Sequence, residues 1–166
     1  MKIIVIGYGR VGSQFVKKID TKANEVVVVD RERAVLGLPD LPKEVRVVIG
    51  NAIDEGLLRD AGAEKADVML ALTRDENTNL MIAQIGRVLF NIPRVMAVVY
   101  EPQRVAYFQE AGIETLAIAV AGADLLAARL KGTFGQAGLT LDAWVSSAPV
   151  SARVPIRPLE AVDGGY

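Results

Sequence analysis

The sequence predicts an α/β protein in which a parallel, doubly wound sheet of six strands carries helices on both faces. Short apolar runs alternate with segments of helical periodicity along residues 1–131, which is typical of this fold class. The hydrophobic fraction of 51% and the mean hydropathy of +0.29 fit a well-buried α/β core. The first apolar run leads directly into the glycine pattern Gly7-x-Gly9-x-x-Gly12.

The apolar runs and the helical periodicity predict where each element lies. The predicted strands are Lys2–Ile6, Val26–Asp30, Arg46–Ile49, Val68–Leu72, Val95–Val99 and Thr115–Ala119. The predicted helices are Arg10–Ile19, Asp54–Ala61, Asn77–Phe90, Pro102–Ala111 and Ala123–Leu130. After Asp30 we expect only a short helical turn, because Pro39 and Pro42 would break a longer helix. Six such strands indicate the Rossmann-type order 3-2-1-4-5-6, with a crevice at the carboxyl ends of strands one and four.

The three glycines follow a strand and open a helix, which is the context of a dinucleotide- or adenine-nucleotide-binding loop. Gly7 can adopt turn conformations that a Cβ would oppose, and Gly9 lets the main chain approach a pyrophosphate. Gly12 lets the first helix pack closely on the sheet. Free amides at the start of that helix would then face the phosphates.

An acidic residue, Asp30, closes the second strand 18 positions after Gly12. This spacing is close to that of a carboxylate that accepts hydrogen bonds from a ribose diol. Asp30 would repel a 2′-phosphate, which favours NAD or an unmodified adenosine ligand over NADP, and Arg31 weakens that preference. The alternative is that Asp30 is a turn residue at the end of a strand.

Charge and composition exclude several classes of function. The net charge is −1, from 19 basic and 20 acidic residues, so no basic field would attract nucleic acid. The chain has no cysteine, which excludes disulfides and thiolate metal sites. No apolar stretch approaches the roughly 18 residues that span a bilayer, and the chain enters a strand directly instead of a signal segment. We therefore expect a cytoplasmic protein without direct membrane insertion.

The predicted helix Asn77–Phe90 has few polar positions around its circumference. One face packed against the sheet cannot account for all of its apolar residues. Either another part of the chain or a second subunit covers the opposite side. Because large exposed apolar patches usually mark interfaces, we favour the second subunit.

The motifs that follow resemble those of a known family. The first motif follows the third strand and consists of Gly50-Asn51-Ala52, then Asp54, Leu57-Leu58 and Ala61-Gly62. The second motif follows the fourth strand and reads Leu72-Thr73-Arg74-Asp75-Glu76-Asn77-Thr78-Asn79. With the glycine loop, this order is similar to the N-terminal nucleotide-binding domain of the regulators of potassium conductance, the Trk/Ktr-type subunits that gate potassium transporters and channels. The resemblance runs from Met1 to about Lys131.

The resemblance implies a set of site residues. Gly7, Gly9, Arg10 and Gly12, with Tyr8 and Val11 of the same loop, would hold phosphates. Asp30 and Arg31 would frame the ribose, Asn51 and Ala52 would edge the adenine, and Leu72 and Thr73 would close the pocket. Two positions depart from the family pattern: Asn51 replaces an Asp and can also donate to the adenine edge, and Val98 replaces an Arg, which removes an anchoring charge near the crevice or a subunit seam.

The ligand implied is ADP/ATP or NAD(H). Arg10 places a guanidinium inside the glycine loop, where it could contact a terminal phosphate bidentately. This slightly favours ADP/ATP, because a triphosphate offers more charge than a pyrophosphate. The alternative is that Arg10 is a solvated residue of the first helical turn.

An NAD-dependent oxidoreductase, or its cofactor-binding half, is the alternative from another class. Hydride transfer needs a group to manage the substrate proton, and the chain has neither His nor Cys. The remaining candidates, Lys65, Tyr100, Glu101 and Tyr107, read more simply as packing and surface residues, so we expect no enzyme. Asp75, Glu76 and Asn77 could bind a cation, although helix capping explains this sequence first.

The predicted domain is residues 1–131, and residues 132–166 form a C-terminal extension or arm of uncertain structure. That extension carries the only Trp, and Trp144 and Val145 are expected to anchor it, in cis or on a neighbouring subunit. The expected function is a regulatory module that binds ADP/ATP or NAD(H), assembles as a homodimer or a larger ring, and controls a membrane potassium transporter or channel subunit. Its expected location is the cytoplasm, with attachment to the inner face of the membrane through that partner.

Overall fold

A computed structural model describes residues 1–131, and within them strands and helices alternate as predicted. The strands are β1 (Lys2–Ile6), β2 (Glu25–Asp30), β3 (Arg46–Ile49), β4 (Val68–Ala71), β5 (Arg94–Val99) and β6 (Glu114–Ala117). The α-helices are α1 (Arg10–Lys18), α2 (Glu55–Ala61), α3 (Glu76–Gln84), α4 (Val105–Glu110) and α5 (Ile118–Leu130). Short 3₁₀ segments lie at Arg33–Gly37, Ala63–Lys65 and Pro102–Arg104.

The strands form one parallel sheet in the order β3-β2-β1-β4-β5-β6. β1 lies between β2 and β4, with Ile3 opposite Val26 on one side and Val68 on the other. The chain crosses to the other half of the sheet between β3 and β4, so the carboxyl ends of β1 and β4 flank the point where the strand order reverses. The predicted fold class and strand order are therefore confirmed.

Both faces of the sheet are buried, which explains why the central strands are continuous apolar runs. On one face, Ile4 and Ile6 of β1 belong to a core with Leu58 of α2, Ile82 of α3 and Phe108 of α4. On the other face, the alternate β1 residues pack with α1 and with the connection between β2 and β3: Ile3, Val5, Val16, Val35 and Val45. Each fully buried aliphatic side chain contributes about 1.5–3 kcal/mol relative to an exposed one.

The segment predicted as one helix, Asn77–Phe90, forms an α-helix followed by a π-helical turn. Helix α3 ends at Gln84, and a π-helical turn continues it over Ile85–Leu89. The Phe90 N–H donates to the Ile85 carbonyl at 3.3 Å, five residues back, where an α-helix would bond four residues back. The periodicity of the sequence does not reveal this extra residue in the turn.

The predicted boundary between the last strand and the last helix is wrong. β6 ends at Ala117, two residues earlier than predicted, and α5 begins at Ile118, five residues earlier than predicted. The apolar segment Ile118–Gly122 is compatible with both a strand and a helix. Pairing with β5 ends at Val99 and Ala117, and beyond that point the alanines of the segment favour a helix.

The chain divides into two units, Met1–Ala123 and Asp124–Tyr166. The sheet and α1–α4 belong to the first unit, and the described part of the second is the remainder of α5. The predicted role of Trp144 and Val145 lies outside the described residues. Among residues 1–131, no helix combines the length and the apolar character that a bilayer span requires.

Candidate functional site

A cleft of about 410 Å³ opens at the carboxyl ends of β1, β2, β3 and β4. Residues predicted from the sequence that line it are Gly7, Tyr8, Gly9, Asp30, Arg31, Asn51, Ala52, Leu72 and Thr73. Further lining residues that the sequence analysis did not assign to the site are Ile6, Val29, Glu32, Val35, Gly50, Arg74, Thr78 and Ile82. The topology thus brings four loops that are remote in the sequence to one crevice.

Three predicted residues do not line the cleft. Arg10 begins α1 and is exposed, and Val11 packs partly against the core beneath α1. Gly12 is buried inside the first turn of α1. These residues border the glycine loop without forming the wall of the cleft.

The three glycines of the loop have different structural roles. Gly7 has φ +96°, in the left-handed region, and a Cβ there would lie 3.0 Å from the Leu72 carbonyl oxygen. A Cβ on Gly12 would lie 2.0 Å from the Gly7 carbonyl oxygen, so any side chain there would separate α1 from the loop. A Cβ on Gly9 would meet no atom within 4 Å. Gly9 therefore borders open space at the start of α1, where free backbone amides attract anions.

Asp30 joins the glycine loop to the segment after β2. One carboxylate oxygen accepts from the Tyr8 N–H at 2.7 Å, and the other accepts from the Glu32 N–H at 2.9 Å. Each oxygen keeps a second lone pair that can accept from a ligand hydroxyl. The carboxylate thus holds two loops in place and also lines the cleft.

Tyr8 contributes backbone to the cleft and an aromatic ring to the core on the α1 side. Its side chain is buried, and its hydroxyl has no hydrogen-bond partner among the described residues. Burial and the charge of Asp40 raise the pKa of this phenol, while the charge of Lys17 acts in the opposite direction. Lys17 and Asp40 themselves form an ion pair that joins α1 to the connection after β2.

The loop after β4 is fixed by Asn79, a fully buried residue of α3 that sequence reasoning did not assign to the site. The Asn79 side-chain oxygen accepts from the Thr73 N–H at 2.9 Å and from the Thr73 hydroxyl at 2.6 Å. The Asn79 amide group donates to the carbonyls of Thr73 and Val98. Asn79 is the last residue of the motif that begins at Leu72 and stands directly before the apolar residues Leu80, Met81 and Ile82, and this position is the signal that could have identified it.

Glu76 and Tyr100 extend this network to the end of β5. The buried Glu76 carboxylate accepts from the N–H groups of Tyr100 and Glu101, at 2.7 and 3.1 Å, and lies 3.1 Å from an Arg104 guanidinium nitrogen. The Tyr100 hydroxyl donates to the Thr73 carbonyl at 2.9 Å. Through these contacts, Glu76 and Tyr100 link the ends of β4 and β5, so both side chains have a structural role.

Helix capping explains the acidic start of α3. The Asp75 carboxylate accepts from the Thr78 N–H at 2.6 Å, and Asn77 accepts from Arg104 at 2.9 Å. Within residues 1–131, no three or more His, Cys, Asp and Glu residues are grouped so that they could hold a metal ion. The capping interpretation of Asp75 is confirmed.

The fold and the glycine-loop cleft together define the class of Rossmann-type domains. Residues 3–119 match the model of the TrkA-N domain, and the chain belongs to this family. This confirms the resemblance drawn from the sequence motifs.

Relatives and solved structures agree with this assignment. The Trk system potassium uptake protein TrkA of Streptomyces coelicolor is 32% identical over 130 residues, which are 78% of this chain and 58% of that protein. The TrkA-N domain of the Escherichia coli inner membrane protein YbaL superposes with a TM-score of 0.70 at 25% identity, over 78% of this chain and 96% of that chain. GsuK bound to ADP superposes with a TM-score of 0.67 at 28% identity, over 79% of this chain and 34% of that chain. The chain therefore spans less than two thirds of the length of the Streptomyces relative.

Proposed function

We propose that this chain is a non-catalytic regulatory module that binds an adenine nucleotide, ADP/ATP or NAD(H), and passes its occupancy to a membrane potassium transporter or channel subunit. The observation that carries the proposal is the cleft beside Gly9, where open space, the amides of the first turn of α1 and the Asp30 carboxylate meet. Such a site offers donors for phosphates and an acceptor for a ribose. The ADP bound to GsuK and the potassium uptake function of the Streptomyces relative support the same assignment.

The proposed ligand positions follow the walls of the cleft. The backbone at Gly7, Tyr8 and Gly9 faces the phosphates, and Arg10, Val11 and Gly12 follow it in the first turn of α1. Asp30 and Arg31 frame the ribose, and Asn51 and Ala52 edge the adenine. Leu72 and Thr73 close the pocket from the loop after β4. A nucleotide can then regulate a partner only by binding one conformation of the assembly better than another.

We further propose that the module acts as a homodimer or as part of a larger ring, on the cytoplasmic side of the membrane beside its transporter. The support is an apolar surface on α3 and its π-helical turn, which we call the α3 surface: Met81, Val88 and Leu89, which are 51%, 69% and 55% exposed. A second copy of the chain would remove these side chains from water.

The test of nucleotide binding is to purify the protein without added nucleotide and to identify what it retains by mass spectrometry. We expect an adenine nucleotide at close to one per chain, and its loss in a Gly9→Val variant, because the branched side chain would occupy the open space beside the loop. A wild-type protein that retains no nucleotide and binds neither ATP, ADP nor NADH in calorimetry would contradict the proposal. Sustained NADH oxidation by the pure protein would contradict its regulatory, non-catalytic character.

The test of the transport partner is affinity capture from membranes. We expect the tagged wild-type chain to retain potassium transport subunits, with recovery that changes when ATP or NADH is added. The Gly9→Val variant should lose this nucleotide dependence. If the wild-type chain captures no transport subunit at any nucleotide concentration, the module binds nucleotide without serving a transporter.

A further inference from the structure

Arg74 projects from a short connection whose backbone is held on both sides. The connection between β4 and α3 runs from Leu72 to Asp75. Before Arg74, the Thr73 N–H donates to Asn79, and after it the Asp75 N–H donates to the Thr73 hydroxyl at 3.3 Å. The side chain of Arg74 lines the cleft from this fixed position.

Among residues 1–131, the guanidinium of Arg74 has no hydrogen-bond or ion-pair partner. Three other arginines of the first unit are paired with carboxylates: Arg59 with Glu55 and Glu64, Arg94 with Glu114, and Arg104 with Glu76. Across residues 1–131, neither Arg74 nor Arg10 makes a side-chain hydrogen bond or an ion pair. Both are exposed, so their donors remain available to a ligand.

The acidic groups around Arg74 are already engaged. Asp30 accepts from two backbone N–H groups, and Asp75 accepts from the Thr78 N–H. Glu76 accepts from two more and faces Arg104. Glu32, which also lines the cleft, follows β2, on the far side of the glycine loop from the β4 connection. No carboxylate of the described chain therefore neutralises Arg74 or Arg10.

Arg10 and Arg74 follow two loops that are in contact, because a Cβ on Gly7 of the loop after β1 would lie 3.0 Å from the Leu72 carbonyl oxygen of the loop after β4. Burial raises the pKa of the Tyr100 phenol, and the charges of Arg10 and Arg74 both act against that rise, in agreement with this placement. The hydroxyl is hydrogen-bonded to the Thr73 carbonyl, next to Arg74 in the chain. Two cations that converge without a counter-ion repel each other, and an anion bound between them would remove this repulsion.

We propose that Arg74, together with Arg10, contacts the terminal phosphate of the bound nucleotide and makes the cleft prefer a nucleoside di- or triphosphate to a dinucleotide. This inference rests on the proposed function, because it requires that the cleft binds an adenine nucleotide. A terminal phosphate carries charge beyond the bridging pyrophosphate, whereas a dinucleotide continues into a second nucleoside. Two guanidinia bind such a phosphate in the bidentate manner for which arginine is suited.

The test is calorimetric affinity for ATP, ADP and NADH in wild type, Arg74→Ala, Arg10→Ala and a matched control, Arg33→Ala. The Arg33→Ala variant loses the same charge as Arg74→Ala, but Arg33 is an exposed residue that does not line the cleft. Arg74→Ala should lower the affinity for ATP and ADP by roughly tenfold or more, the scale of a lost charge-assisted hydrogen bond. NADH affinity should change by less than about twofold, and so should every affinity of Arg33→Ala.

The outcomes separate this inference from the proposed function. An Arg74→Ala variant that binds ATP and ADP like wild type, or that loses NADH affinity equally, overturns the role of Arg74 while nucleotide binding stands. Wild type that binds none of the three nucleotides overturns the proposed function and this inference together. In the Arg10→Ala/Arg74→Ala double variant, we expect the loss of ATP affinity to differ from the product of the single losses, because both side chains contact one phosphate. Strictly independent losses would contradict that shared contact.

Discussion

At the scale of single residues, the structure shows how Asp30 stabilises the turn at the end of β2 and leaves its carboxylate at the cleft. Its carboxylate could be a ribose ligand or a turn residue, and the structure shows that it binds the backbone of two loops while lining the cleft. Removing it would free the N–H groups of Tyr8 and Glu32. A loss of ligand affinity in a variant without this carboxylate would therefore have two causes, less ordered loops and a missing direct contact.

We predict that Asp30→Ala weakens binding of ATP and NADH by about 1–3 kcal/mol, from lost hydrogen bonds to a charged group. It should also lower the free energy of unfolding by about 1 kcal/mol for each freed backbone N–H that water does not satisfy. Calorimetry and urea unfolding measure the two effects.

Asp30→Asn is the matched control for this prediction. Its side-chain oxygen can still accept from one of the two N–H groups, but its amide nitrogen cannot replace the second acceptor. We expect an intermediate stability and a weakened affinity. Unchanged affinity for both ATP and NADH in Asp30→Ala would remove Asp30 from the binding site.

At the scale of elements, α3 connects the cleft to the α3 surface. Its first turn is capped by Asp75, its buried Asn79 holds the loop after β4, and its last turn widens into the π-helical segment Ile85–Leu89. Gly86 permits this segment to approach the sheet, since a Cβ there would lie 2.6 Å from the Met69 sulfur. The same helix thus shapes one wall of the site and presents apolar side chains on the outside.

The cap of α3 predicts a pH dependence of stability. Hydrogen bonds from the side chain and the backbone N–H of Thr78 lower the pKa of Asp75, and the charges of Arg104 and Arg31 add to this effect. Because the pKa is lowered on folding, the cap stabilises the protein above the pKa of an unfolded aspartate, about 3.9, and this contribution is lost as the pH falls through the folded value. Asp75→Ala should therefore unfold more easily than wild type at pH 7, and the difference should shrink below about pH 4.

Thermal unfolding between pH 3 and pH 7 checks this prediction, with Asp60→Ala as the control. Asp60 is an exposed residue of α2 whose side chain caps no helix. The stability of Asp60→Ala should follow that of wild type on acidification. A difference between wild type and Asp75→Ala that persists unchanged to pH 3 would mean that the ionised carboxylate of Asp75 does not stabilise α3.

At the scale of the whole molecule, the α3 surface is an apolar surface that no other part of residues 1–131 covers. Within the predicted helix Asn77–Phe90, Ile85 is half-buried and packs against the core. A charge at Ile85 would therefore disturb the fold of a single chain as well as an interface. Val88 is 69% exposed, so a charge at this position tests the interface without disturbing the core of a single chain.

We predict that Val88→Glu folds normally but no longer self-associates, because a carboxylate would be buried without a partner at the subunit seam. Sedimentation velocity measures the change. Leu36→Glu, at a residue 52% exposed outside the α3 surface, should leave the assembly of wild type unchanged. If Val88→Glu sediments like an oligomeric wild type, the subunits meet through another face, and if wild type is a monomer, the proposed assembly is wrong.

Local patterns were sufficient to predict much of this molecule from its sequence. Buried parallel strands appear as apolar runs, glycine spacing reflects a turn within six residues, and the strand ends at Ile6 and Asp30 place their loops in one crevice. The fold class, the strand order, the glycine loop and Asp30 follow from such short-range signals, whereas Asn51, Ala52, Leu72 and Thr73 are expected at the cleft only from the family resemblance.

The tertiary structure decided what depends on contacts between distant segments. Tyr100 meets Thr73 across 27 residues, Asn79 meets Val98 across 19, and Gly7 of the glycine loop lies against Leu72 of the loop after β4. The π-helical turn and the early start of α5 likewise depend on what each segment packs against and where strand pairing ends. A sequence pattern records the preferences of neighbouring residues, whereas these features arise only when the sheet brings remote residues within hydrogen-bond distance.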